Sequence, residues 1–135
     1  MCIRDRLRAK LRRLDAWNAR RRAAAARYAE LLGDVEGVRL PVVRDGNEDV
    51  WHLYVVQVAE RDRVLRALNE QGVGAAIHYP TPVHLTEAYA GLGLGRGSFP
   101  VAEAAADRIL SLPMFPHLTA EQQEQVARAL RTALA

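Results

Sequence analysis

The segment from Leu7 to Leu32 contains neither glycine nor proline and is built largely from alanine, leucine and arginine. These residues have high helix propensity and lose little side-chain freedom in a helix. The pattern predicts one long helix, with Leu7, Leu11, Leu14, Ala25, Tyr28 and Leu32 forming a heptad-like apolar stripe. Asn18 and Arg21 interrupt that stripe, which argues against a sustained coiled coil. Gly33 is expected to end the helix at C′, where a positive φ carries no Cβ penalty. Residues 1–6, Met-Cys-Ile-Arg-Asp-Arg, fit poorly with the helix after them and look like adaptor read-through, so they are set aside as a non-native leader.

Beyond the helix the apolar period changes. Val38 to Leu40 reads as a short strand stopped by Pro41, and 44–49 as a polar loop. Trp51 to Val58 is aromatic and β-branched and reads as a central strand covered on both sides. Arg61 to Gln71 has the spacing of a helix, with Val64, Leu65 and Leu68 on one face and Gly72 as its stop; Val73 to Ile77 reads as a further strand, completing a β-α-β unit. A short helix over Glu87 to Gly91 and a glycine-rich turn to Gly97 come next. Ser98 is expected to cap a helix with Pro100 in its first turn, running to about Leu110. Ser111 to Phe115 is extended, and Thr119 with Gln122 forms a capping box for a last helix ending near Leu134. The expected fold class is α+β: a small mixed sheet of about three to four strands packed by helices and preceded by the long N-terminal helix.

A chain of 135 residues, 50% hydrophobic, suits one compact domain. A domain of that size buries roughly 65–70% of its unfolded surface and needs no metal or disulfide to stabilise it. Cys2 is the single cysteine, so there is no internal disulfide, and a reducing, cytoplasmic setting is expected. No apolar run approaches the ~20 residues of a membrane span, and a soluble protein is expected. The net charge of +3 is unevenly placed. Residues 1–30 carry ten Lys/Arg against three Asp/Glu, and the remainder nine against thirteen. Such asymmetry raises a nucleic-acid-binding reading. Against it, Arg20, Arg21 and Arg22 are consecutive and spread around a helix, and the rest of the chain carries no nucleic-acid motif.

Five blocks occur in order: Leu14-Asp15-Ala16-Trp17-Asn18-Ala19-Arg20-Arg21; Trp51-His52-Leu53-Tyr54; His78-Tyr79-Pro80 with Val83-His84; Phe99-Pro100-Val101-Ala102-Glu103; and Leu110-Ser111-Leu112-Pro113-Met114-Phe115-Pro116. Together they resemble the C-terminal part of the DegT/DnrJ/StrS nucleotide-sugar aminotransferases, which are fold-type I pyridoxal-phosphate enzymes. The resemblance runs from residue 7 to residue 135. It implies a dimeric two-domain enzyme with active sites at the subunit interface. A large N-terminal domain holds pyridoxal phosphate on a lysine and moves an amino group, usually from glutamate, onto the keto carbon of a nucleotide-linked sugar. On this pattern residues 7–33 are the linking helix and 34–135 the small domain that closes over substrate. A cofactor lysine upstream of residue 7 is expected.

The only lysine in these 135 residues is Lys10, in an arginine-rich helix with no aspartate placed to pair with a pyridinium nitrogen. No catalytic residue and no bound cofactor are therefore expected here, and the chain alone is expected to be inactive. His78, Tyr79 and His84 lie on a proline-stiffened loop after a strand, and imidazole and phenol can donate to phosphate or sugar oxygens. The resemblance places this loop, and His52 near it, at the nucleotide-sugar cleft. These four are the substrate-binding candidates. Their alternative role is local packing. The histidines match no zinc spacing, no Gly-x-Ser-x-Gly elbow is present, and Gly91 to Gly97 match no phosphate-binding loop. The rival functions are a basic-helix nucleic-acid binder and a free-standing interaction domain.

Overall fold

The computed structural model describes residues 3–135; Met1 and Cys2, and with them the leader's first two residues and the disulfide argument, lie outside the described residues. The long N-terminal helix is two helices, α1 over Ile3–Leu11 and α2 over Leu14–Leu32. The break falls at Arg12 and Arg13, where the Arg13 N–H donates to the Lys10 carbonyl at 2.9 Å in a tighter turn. Propensity gives no warning of it. The two helices also differ in packing: α1 buries none of its residues, whereas α2 buries Ala24, Ala25, Tyr28 and Leu32. Ile3 to Arg6 lie within α1. Gly33 has φ −63°, not the positive value expected. Its requirement is close approach, since a Cβ there would fall 2.8 Å from the Ala29 carbonyl oxygen.

Three strands, β1 (Val38–Arg39), β2 (Tyr54–Val58) and β3 (Ile109–Leu112), form a sheet in that order. Both ladders are antiparallel, with Val38 opposite Val58 and with Tyr54, Val55, Val56 and Gln57 opposite Leu112, Ser111, Leu110 and Ile109. The α+β class stands, with a refinement to the β-α-β unit. The 73–77 segment forms only an isolated antiparallel bridge, Ala76 to Ser111, on the far side of β3. It thus runs parallel to β2 with β3 between them, and the parallel neighbours of a mixed sheet do not form. Between the two lies α3 (Arg61–Glu70). Its end is a Schellman turn: Val73 N–H donates to the Leu68 carbonyl, Gly72 N–H to that of Asn69, and Gly72 takes φ +75°.

β2 begins three residues later than expected. Trp51 sits at φ +51°, outside the strand, with its N–H donated to the Asp49 carboxylate at 2.7 Å. The Arg21 guanidinium fixes this corner, donating to the carbonyls of Trp51, His52 and Met114 at 3.0–3.3 Å. Next come two 3₁₀ turns, Val83–Leu85 and Glu87–Leu92, and then α4 (Pro100–Ala106), shorter than expected because the chain turns into β3. Ser98 does not cap α4; Phe99 occupies the N-cap and has no side-chain cap. The last helix, α5 (Ala120–Leu134), carries the full Thr119–Gln122 capping box.

Strand alternation gives the sheet two faces. Tyr54, Val56, Leu110 and Leu112 point into a core closed by Tyr28 and Leu32 of α2, Val64 and Leu68 of α3, and Val126 and Leu130 of α5. Tyr28 lies wholly inside; its hydroxyl donates to the Pro113 carbonyl at 2.9 Å, and burial raises its pKa. The expectation that β2 is covered on both sides is half met. Tyr54, Val56 and Val58 are buried, while Val55 and Gln57 on the opposite face are half-exposed.

Candidate functional site

That second face carries Val55, Gln57, Ile109 and Ser111. The chain from His78 to Ala106 roofs part of it and encloses an apolar cleft of about 900 Å³. Tyr79, Pro82, Val83, Tyr89, Leu92 and Phe99 line the cleft, with Ile109 from β3 and the alanines of α4. A concave, mostly apolar space with few polar groups is the usual form of a small-molecule site.

The sequence candidates take different places around it. Tyr79 lines the cleft and is 73% exposed, so its hydroxyl is free to meet a ligand. His84 also lines the cleft but is buried, and its Nε2 lies 3.0 Å from a Glu103 carboxylate oxygen. Its ring meets the Phe99 ring edge-on at 4.8 Å. His78 stands at the rim, half-buried, with Nδ1 2.9 Å from the Ser111 hydroxyl and its ring against that of Tyr79. His52 is exposed and does not line the cleft; its backbone carbonyl is what the molecule uses, as an acceptor for Arg21.

Glu103 organises the roof. Its carboxylate accepts the Gly97 N–H at 2.9 Å and the Phe99 N–H at 3.1 Å while contacting His84. The Gly97 bond, with those of Phe99 and His84, holds its pKa below the ordinary carboxylate value against the opposing effect of burial. One side chain of α4 thereby joins the glycine-rich turn to the 78–84 loop. In the sequence, Glu103 and Ser111 stand out only as members of larger blocks. The signals that could have found them are a lone hydroxyl in the apolar strand Ile109–Leu112 and an acid four residues beyond Phe99.

The residues present do not fit pyridoxal phosphate. Lys10 is exposed on α1, a helix that buries nothing, and is absent from the cleft lining. Among the described residues no His/Cys/Asp/Glu cluster could hold a metal ion, and no helix is long and apolar enough to cross a membrane. The basic run of α2 is also occupied. Arg20 contacts His117 Nδ1 at 3.1 Å, Arg21 serves three carbonyls, Arg22 pairs with Glu48 and Arg27 with Glu124, both at 2.6 Å. These cations are turned to the protein's own acceptors, which weakens the nucleic-acid reading.

The sequence model of the DegT/DnrJ/EryC1/StrS aminotransferase family matches residues 6–131. The chain belongs to that family. It is 50% identical, over 93% of its length and 34% of the other's, to the erythromycin biosynthesis sensory transduction protein EryC1 of Saccharopolyspora erythraea. It is 44% identical to the dTDP-3-amino-3,4,6-trideoxy-alpha-D-glucose transaminase of Streptomyces venezuelae, over 93% of this chain and 33% of that one. Among solved structures, S. venezuelae DesV in complex with a ketimine intermediate superposes with a TM-score of 0.89 at 44% identity, covering 93% of this chain and 34% of that chain. A family aminotransferase from Brucella abortus gives 0.85 at 34% identity, covering 94% and 34%. The chain thus spans about a third of the length of the family members it matches.

Proposed function

We propose that these residues form the substrate-covering part of a pyridoxal-phosphate-dependent aminotransferase that moves an amino group from an amino donor onto a nucleotide-linked keto sugar. The observation that carries this reading is the cleft: in a chain of this family, a stiff loop bearing His78, Tyr79 and His84 opens beside an apolar space on the less covered sheet face. Tyr79 supplies an exposed phenol for a sugar or phosphate oxygen, and His78 an imidazole at the rim. His84 shapes the wall through Glu103. His52, exposed at the corner before β2, contacts substrate only if another part of the enzyme brings it there. The cleft's few polar groups suit the less polar part of such a substrate.

On this reading residues 7–33 link and 34–135 cover, the working enzyme is a cytoplasmic homodimer, and the cofactor lysine is supplied by polypeptide other than these 135 residues. By themselves they transfer no amino group, because Lys10 has neither burial nor partners to suit that task. The S. venezuelae transaminase provides the test: residues 7–135 replace its corresponding third. The chimera is expected to transaminate, with His78→Ala and Tyr79→Phe raising KM for the nucleotide sugar. A chimera that folds and binds pyridoxal phosphate yet transfers nothing contradicts the proposal.

A further inference from the structure

We propose that Ser111 is a positioning residue whose buried hydroxyl holds His78 in its Nε2–H tautomer, so that the loop presents a hydrogen-bond donor to an oxygen of the nucleotide sugar. The inference rests on the substrate-covering reading above for its second half only. Ser111 is held on both sides. Its backbone pairs with Val55 across the β2–β3 ladder and exchanges two hydrogen bonds, of 2.7 and 3.1 Å, with Ala76. His78 lies two residues beyond Ala76, hence on the same face, where its Nδ1 meets the Ser111 hydroxyl at 2.9 Å.

The direction of that bond follows from counting protons. If Nδ1 carried the hydrogen, it would donate to the Ser111 oxygen, and the hydroxyl proton would need an acceptor elsewhere. Ser111 is 4% exposed, and its hydroxyl makes no other hydrogen bond among the described residues. A buried donor left unmade is costly, so the hydroxyl donates and Nδ1 accepts. In the neutral ring the hydrogen then sits on Nε2. That nitrogen has no partner among the described residues and is not wholly buried, at the rim beside the Tyr79 ring. The strand thus sets the polarity of the loop: the rim offers a proton and not a lone pair, as a phosphoryl or sugar oxygen requires.

The test is nitrogen-15 NMR of the histidine rings in this chain, recorded at about pH 8.5, above the ordinary imidazole range. His78 is expected to show a pyridine-like Nδ1 and a protonated Nε2. Ser111→Ala is expected to lose this single tautomer and Ser111→Thr, which keeps the hydroxyl, to restore it, with amide dispersion confirming that both variants fold. A protonated Nδ1 in the native chain overturns the lock, as does an unchanged tautomer in a folded Ser111→Ala. Titration of the S. venezuelae chimera with dTDP-glucose tests the other half: the His78 Nε2 resonance is expected to shift. An intact lock with no shift overturns the substrate role of the loop and leaves the lock standing.

Discussion

On one face of the β2–β3 ladder, Tyr54, Val56, Leu110 and Leu112 are sealed under α2, α3 and α5. On the other, Ile109 lines a cleft walled by the 79–106 chain, Ser111 meets His78 of the loop, and Val55 is half-exposed. Apolar residues are plentiful on both sides and fare differently. Leu110 is 0% exposed, whereas Val83 and Leu92 in the cleft wall are 67% and 64% exposed. The first face is finished by this chain's own helices. The second is held in shape by polar contacts, Glu103 to two backbone N–H groups and His84, and Ser111 to His78. Packing against itself explains the core, whereas the cleft wall is left open by the chain's own elements.

The largest effect that would sharpen this contrast comes from cutting into each side. Leu110→Ala should cost about 2–5 kcal/mol in urea unfolding, because the lost side chain leaves a cavity among fixed neighbours. Thr119→Ala, which removes the cap of a core helix, should cost about 1 kcal/mol. Glu103→Gln acts locally. Hydrogen exchange at the Gly97 and Phe99 amides should rise several-fold while core amides stay protected. The pH dependence has a definite sign. Because the folded-state pKa of Glu103 lies below its ordinary value of 4.5, its stabilisation of the roof is complete above that value and is lost as pH falls through the lowered one. Roof amides should therefore lose protection in acid, and the Gln variant should lack that dependence. The smallest stability effect belongs to the cleft wall. Val83→Ser with Leu92→Ser should change unfolding by no more than about 0.5 kcal/mol per site, because both side chains are largely exposed. If it instead costs as much as Leu110→Ala, the two faces are not different in kind.

The same contrast explains what the sequence disclosed. The start of α5 was legible because its cap is a contact between Thr119 and Gln122, three residues apart, and the end of α3 because Gly72 makes a local turn. The start of β2 was not, since the Trp51 corner is fixed by Arg21, thirty residues away, which also reaches Met114 across ninety-three. The break between α1 and α2 was not legible either, since propensity is high on both sides of it. At the site, aromatic and imidazole side chains on a proline-rich loop marked Tyr79, His78 and His84. Their supports, Ser111 and Glu103, stayed unmarked because each acts across nineteen residues or more of chain.

The claim that this chain covers a substrate and does not itself hold the cofactor is tested most directly by adding pyridoxal phosphate to it, reducing with borohydride and weighing the product. No saturable absorbance band and no stoichiometric phosphopyridoxyl mass on Lys10 are expected. A saturable band, with one such group fixed on Lys10 at equimolar cofactor, would contradict it.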